Sequence, residues 1–128
     1  MKGQNMNKKR VLIIEDEVAL LYALQSRLSL EGFEVEAVST GKDGLKLIQE
    51  KKFDLLVLDI ILPDTDGFQI LKQIKENPKT KETPCVIVSN LAEKDNIDRG
   101  ISLGAKDYLP KSRYHLNEII DKIKSFLE

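Results

Sequence analysis

A chain of 128 residues with 41% apolar and 32% charged side chains has the size and mixture of one globular domain, long enough to bury roughly two-thirds of its unfolded surface. Its formal net charge of −1 lacks the clustered basic charge that holds nucleic acid or an anionic membrane surface, so direct binding to either is not expected. The lone Cys85 permits no internal disulfide, and no run approaches the roughly 20 apolar residues of a membrane helix, so a soluble, unexported protein of a reducing cytoplasm is expected.

The polar opening Met1 to Lys9 lacks a signal peptide's apolar core and reads as a disordered lead or tag remnant, with Met6 as a second start and the domain proper over 10–128. Short apolar runs of strand length then alternate with longer segments whose apolar residues recur every three or four positions, the pattern of repeated βα units. Val11-Leu12-Ile13-Ile14 leads into a helix whose buried stripe is expected to be Val18, Leu21, Leu24 and Leu28, with Gly32 supplying a left-handed exit. Phe33 to Val38 is the second strand, and Thr40 with Asp43 caps a helix carrying Leu45 and Ile48. Phe53 to Leu58 is the third, nearly continuous in apolar residues from Leu55 and so covered on both faces. Asp66 caps a helix bearing Phe68, Leu71 and Ile74, which Asn77-Pro78 ends; Lys79 to Glu82 reads as a solvated charged turn.

Cys85 to Val88 is the fourth strand, its thiol expected inside. A weaker helix from about Glu93 to Leu103 precedes a short strand, Asp107 to Pro110. Proline cannot donate to a sheet ladder, which puts this strand at an edge. The last helix places Leu116, Ile119, Ile120, Ile123 and Leu127 on one face, with the sole histidine, His115, at the surface near its start. Right-handed crossovers between five such units predict an α/β fold, a doubly wound parallel five-stranded sheet of order 2-1-3-4-5, with ligands held beyond the carboxyl ends of the strands.

Polar residues follow the strands at that edge: Glu15-Asp16 after the first, Asp59 after the third, Ser89 after the fourth and Lys111 after the fifth. Strands one and three are neighbours in the expected order, which crowds Glu15, Asp16 and Asp59. Two such charges about 5 Å apart repel by roughly 3 kcal/mol at an effective dielectric near 20, so the site calls for a cation. Hard oxygen ligands without Cys or His suit Mg²⁺, which binds through one or two carboxylates plus a phosphate. Asp59 is positioned as a nucleophile towards phosphorus, with Lys111 and Ser89 to hold the transferred oxygens.

The segments VLIIEDE, LLVLDIILPDTDG, VIVSN and GAKDYLPKS, in this order and over about residues 10–127, resemble the motifs of the response-regulator receiver domain of two-component signalling. The resemblance implies a flavodoxin-like (βα)5 fold, Asp59 as phosphoacceptor, and Mg²⁺ held by Asp16, Asp59 and the Ile61 backbone carbonyl, with Glu15 acting through water. It implies that Ser89, Lys111 and the Asn90 backbone contact the phosphoryl group, and that Ser89 and Tyr108 form the switch, the tyrosine ring turning inward. The implied partners are a sensor histidine kinase or histidine phosphotransfer protein, a downstream effector protein or output domain, and a second copy through the face of the fourth helix, fifth strand and fifth helix.

Ile61 and Leu91 flank the implied path of attacking water, and as aliphatic groups imply slow self-dephosphorylation. Two departures stand out: Asn90 replaces the usual small residue, and Lys111-Ser112 replaces a Lys-Pro pair with a cis bond, a geometry costing about 2.5–4 kcal/mol before a non-proline residue.

Taken singly, these residues have plainer readings: Glu15 or Asp16 as a turn acid or cap, Ser89 as a cap, Lys111 as a surface charge and Tyr108 as a packed edge aromatic. Their joint placement favours the receiver. An aspartate-based phosphohydrolase needs a second acid as general acid/base, and a receiver-like module that takes no phosphate has no use for Asp59 and Lys111. Asp64-Thr65-Asp66-Gly67 lacks a full calcium loop and does not directly follow a strand, so it reads as the loop entering the third helix.

Overall fold

The computed structural model describes residues 8–128, so most of the expected polar lead, Met6 included, lies outside the described residues. Five strands alternate with five helices: β1 (Arg10–Ile14), α1 (Val18–Leu30), β2 (Glu34–Val38), α2 (Gly41–Glu50), β3 (Leu55–Leu58), α3 (Gly67–Glu76), β4 (Cys85–Ser89), α4 (Lys94–Ser102), β5 (Asp107–Pro110) and α5 (Leu116–Ser125). All pairs are parallel and the order is β2-β1-β3-β4-β5, as the alternation of short and long apolar segments predicts. β5 is an edge, and Pro110 closes its register opposite Ser89.

Because strand residues alternate faces, the sheet carries two cores. Leu12, Ile14, Leu56, Leu58 and Ile87 pack with α2 and α3 on one side; Val11, Ile13, Val57, Val86 and Leu109 pack with α1 and α5 on the other. β3 and β4, central and covered twice, are buried at every position, and the Cys85 thiol is inside with burial pushing it up to about 11.

The local signals act where the residues imply. Gly32 has φ +98°, accessible to glycine at little cost, and turns the chain from α1 into β2. Thr40 Oγ1 accepts from the Asp43 amide at 3.2 Å, Asp66 Oδ1 accepts from the Phe68 amide at 2.7 Å, and α3 ends at Glu76 before Asn77-Pro78. His115 is exposed at the start of α5. No helix among the described residues is long and apolar enough to cross a membrane.

Two expectations are corrected and a third, the loop before α3, is extended. Val18 is 58% exposed: it is the first residue of α1, at the rim of the sheet, and the buried stripe is Leu21, Leu24 and Leu28. Residues 79–82 are not simply a solvated turn, because Thr80 is buried and its hydroxyl donates to the Ile74 carbonyl at 2.8 Å, satisfying an acceptor near the end of α3. The β3–α3 loop does more than lead into a helix. Asp64 accepts from the Gly41 amide at 2.8 Å and the Lys42 amide at 2.9 Å, fastening the loop to the start of α2. Those backbone amides hold its carboxyl below the usual range.

Candidate functional site

The carboxyl ends of β1, β3 and β5 meet at one ammonium. Lys111, just past Pro110, donates to Asp59 Oδ2 at 3.0 Å, lies 3.0 Å from Glu15 Oε1 and donates to Glu17 Oε1 at 2.6 Å. Glu15 and Asp59 are set by the sheet itself: the Glu15 amide donates to the Val38 carbonyl at 3.0 Å and the Asp59 amide to the Ile14 carbonyl at 2.9 Å, extending the ladders by one residue each. Their side chains are 3% and 4% exposed. Asp59 Oδ1 also accepts from the Ile60 amide at 2.6 Å.

The carboxylates of Glu15, Glu17 and Asp59 offer oxygens within 4.8 Å of one another. The expected trio differed: Asp16 is exposed and outside this group, and Glu17 takes its place. Residues 15 and 17 share a side of an extended segment and residue 16 faces the other way. Glu17 lies in extended backbone, and its amide donates to Glu15 Oε2 at 2.9 Å. The run Glu15-Asp16-Glu17 carried that signal in its spacing of two.

Three acids share one ammonium. Burial first, then the nearby Asp59 charge, pushes the Glu15 carboxyl up to about 7. For Lys111, burial pulls down, but the hydrogen bond to Glu17 and the charges of Asp59 and Glu15 outweigh it and hold the ammonium well above its ordinary value. The donor set is all hard oxygen and short of positive charge, which fits a divalent cation of the Mg²⁺ kind.

Ser89 is fully buried at the end of β4, its Oγ accepting from the Leu91 amide at 3.2 Å. Tyr108 is buried too, and its hydroxyl donates to the Leu91 carbonyl at 2.7 Å. Burial raises the phenol, the neighbouring Ser89 hydroxyl opposes, and Asp59 and Glu93 add to the rise. Arg113 donates to the Ala92 carbonyl at 3.0 Å, a second tie on the β4–α4 loop that sequence reading missed. The Asn90 side chain donates to Glu17 Oε1 at 3.2 Å.

Ile61, 53% exposed, and half-buried Leu91 line a cavity of about 450 Å³ beside the site, between the β3–α3 loop and α4. An Ile61–Asp66 bridge and the Gly67 amide, which donates to the Ile60 carbonyl at 2.7 Å, fold the loop that carries Ile61. A Cβ on Gly67 would strike the Asp59 carbonyl oxygen, so this position has room only for glycine beside Asp59. Among the described residues no peptide bond is cis, so the Lys111–Ser112 bond is trans and the loop continues as a turn of 3-10 helix, Lys111–Arg113. A larger cleft of about 670 Å³, lined by Phe53, Asp54 and Pro84, opens at the opposite end of the strands.

A parallel sheet of order 2-1-3-4-5 with a buried acid pair and a lysine at its switch point is shared with a known family. The response regulator receiver domain model matches residues 11–124, and the chain belongs to that family. It is 31% identical over 118 residues to the phosphate regulon transcriptional regulatory protein PhoB of Rhizobium meliloti (strain 1021), covering 92% of this chain and 52% of that protein. It spans about half the length of the curated relatives it matches. Among solved structures, the non-phosphorylated HemR receiver domain from Leptospira biflexa superposes with a TM-score of 0.87 at 32% identity, covering 94% of this chain and 95% of that one. The BeF3-activated DrrB receiver domain superposes with a TM-score of 0.81 at 28% identity, covering 94% and 97%. The chain is therefore a receiver domain of the two-component response-regulator type.

Proposed function

We propose that residues 10–128 act as a phosphorylation-controlled binding module of a two-component phosphorelay. An Asp59 carboxylate oxygen attacks phosphorus, the O–P bond forms, and the P–N bond of a phosphohistidine breaks with its electron pair returning to the imidazole. The observation that carries this reading is the pairing of buried Asp59 with Lys111 Nζ at 3.0 Å, where the strand order reverses. Mg²⁺ would be held by Asp16, Asp59 and the Ile61 carbonyl, with Glu15 acting through water, and would supply charge neutralisation for the transferring group. Lys111, the Ser89 hydroxyl and the Asn90 amide would hold the phosphoryl oxygens. Asp16, exposed beside Glu15, has the freedom to turn inward that a packed residue lacks.

The donor is a sensor histidine kinase or a histidine phosphotransfer protein in the cytoplasm. The output passes to an effector protein or output domain, or to a second copy, through the face of α4, β5 and α5. Ser89 and Tyr108 link that face to the site, and the likeness to the DrrB receiver domain, whose BeF3-activated form superposes on this chain, supports the phosphoryl reading. Self-dephosphorylation is slow, because Ile61 and Leu91 cannot orient an attacking water. A phosphohydrolase is not favoured, since Glu15, the second buried acid, is engaged by the same lysine as Asp59.

Intact mass after incubation with acetyl phosphate and Mg²⁺ tests the reading. The parent is expected to gain one phosphoryl group, and Asp59→Asn none while remaining folded, because the amide keeps the shape but is no nucleophile. Undiminished gain by the variant would overturn the proposal.

A further inference from the structure

We propose that Glu17 is a positioning residue that holds the phosphoryl-binding lysine in the resting state, acting as an internal anion that the incoming group displaces. The inference rests on the reading of Asp59 and Lys111 given above and assigns a role to a residue outside that set. An ammonium has three N–H donors, and three carboxylates surround Lys111 Nζ: Glu15 at 3.0 Å, Asp59 at 3.0 Å and Glu17 at 2.6 Å. The donor capacity is full. A phosphoryl oxygen can reach Lys111 only by displacing one of them.

Burial decides which one leaves. The side chains of Glu15 and Asp59 are 3% and 4% exposed, and until the O–P bond forms, freeing either from the lysine strands a charge away from water. Glu17 is 51% exposed, so its carboxylate exchanges the ammonium for solvent at small cost. It also has no competing local duty: it stands at the N-cap of α1, yet its side chain makes no capping hydrogen bond among the described residues. The same oxygen that accepts from Lys111 accepts from the Asn90 side-chain amide at 3.2 Å. One carboxylate oxygen thus bridges the turn after β5 and the β4–α4 loop, and its departure releases both groups together.

Beryllofluoride, a phosphoryl mimic, tests this at saturating Mg²⁺ with amide NMR as the readout. Glu17→Gln is expected to bind beryllofluoride about two- to fivefold more tightly than the parent, the range for losing one half-exposed ionic competitor. Glu17→Asp keeps the charge but shortens the arm by one methylene, and is expected to gain as well. In the metal-free protein the Asn90 side-chain NH₂ resonances should move in Glu17→Gln in the direction that beryllofluoride moves them in the parent. A parent that fails to bind beryllofluoride overturns the phosphoacceptor reading, and the inference with it. A parent that binds, with Glu17→Gln no tighter, overturns the inference alone. So does a gain in Glu17→Gln with Glu17→Asp unchanged, which would assign the effect to charge at a distance, or unmoved Asn90 resonances.

Discussion

Glu15 sits between a buried aspartate and a half-buried lysine, with its carboxyl pushed from an ordinary 4.5 to about 7 by burial and then by Asp59. Between those two values the folded protein keeps a proton that the unfolded chain has given up. Stability therefore falls as pH rises through the window, and the penalty is fully present above about pH 7. Glu15→Gln removes the charge and keeps the shape. In urea titrations with EDTA it should gain on the order of 1–3 kcal/mol over the parent at pH 8 and little at pH 4.5. An equal gain at both pH values would mean that the desolvated charge is not what the parent carries. Lys111 works in the opposite sense, its ammonium held up by Glu17, Asp59 and Glu15 against burial, so it stays charged throughout that range.

Each side chain of the candidate site is carried by the end of an element, so the caps and loops set its position. Asp66 joins two of these tasks: it caps α3 through the Phe68 amide and pairs with Ile61 in the loop after Asp59. Asp66→Ala should cost about 1 kcal/mol of unfolding free energy, while Asp66→Ser should retain most of it, as measured by urea denaturation. Equal losses in the two variants would show that the capping oxygen is not what the Asp66 side chain contributes. The β4–α4 loop is held differently, by donors from β5 and the turn beyond it, Tyr108 on the Leu91 carbonyl and Arg113 on the Ala92 carbonyl. A ligand shifts such an element only by binding its two arrangements unequally. Beryllofluoride with Mg²⁺ should therefore move amide resonances most between about Leu91 and Lys111; changes concentrated in β2 would refute that route.

At the scale of the molecule, the two cores hold the sheet rigid while its carboxyl edge carries three acids around one lysine. A cation that binds only this assembled edge stabilises the whole fold by mass action, about 2.7 kcal/mol at a hundred times its dissociation constant. Mg²⁺ should raise the melting temperature by roughly 10 °C at that concentration for a domain of this size, and by less in Asp59→Asn. An unchanged Tm in the parent would show that the carboxylates do not gather a cation.

Local chemistry made most of the fold legible. The switch between long and short apolar runs, Gly32, the caps at Thr40 and Asp66, and Pro110 at an edge each act through the residue's own backbone or its near neighbours, so they can be read along the chain. The strand-end positions of Glu15, Asp59, Ser89 and Lys111 follow from the same pattern. The tertiary structure decided which acids meet. Glu17 instead of Asp16 on Lys111, 94 residues away, depends on how the β1–α1 turn faces the end of β5. Asp64 on the α2 amides and Arg113 on the Ala92 carbonyl likewise join segments remote in sequence. Partners at such separations are chosen by packing, because no local preference distinguishes one exposed acid or base from the next.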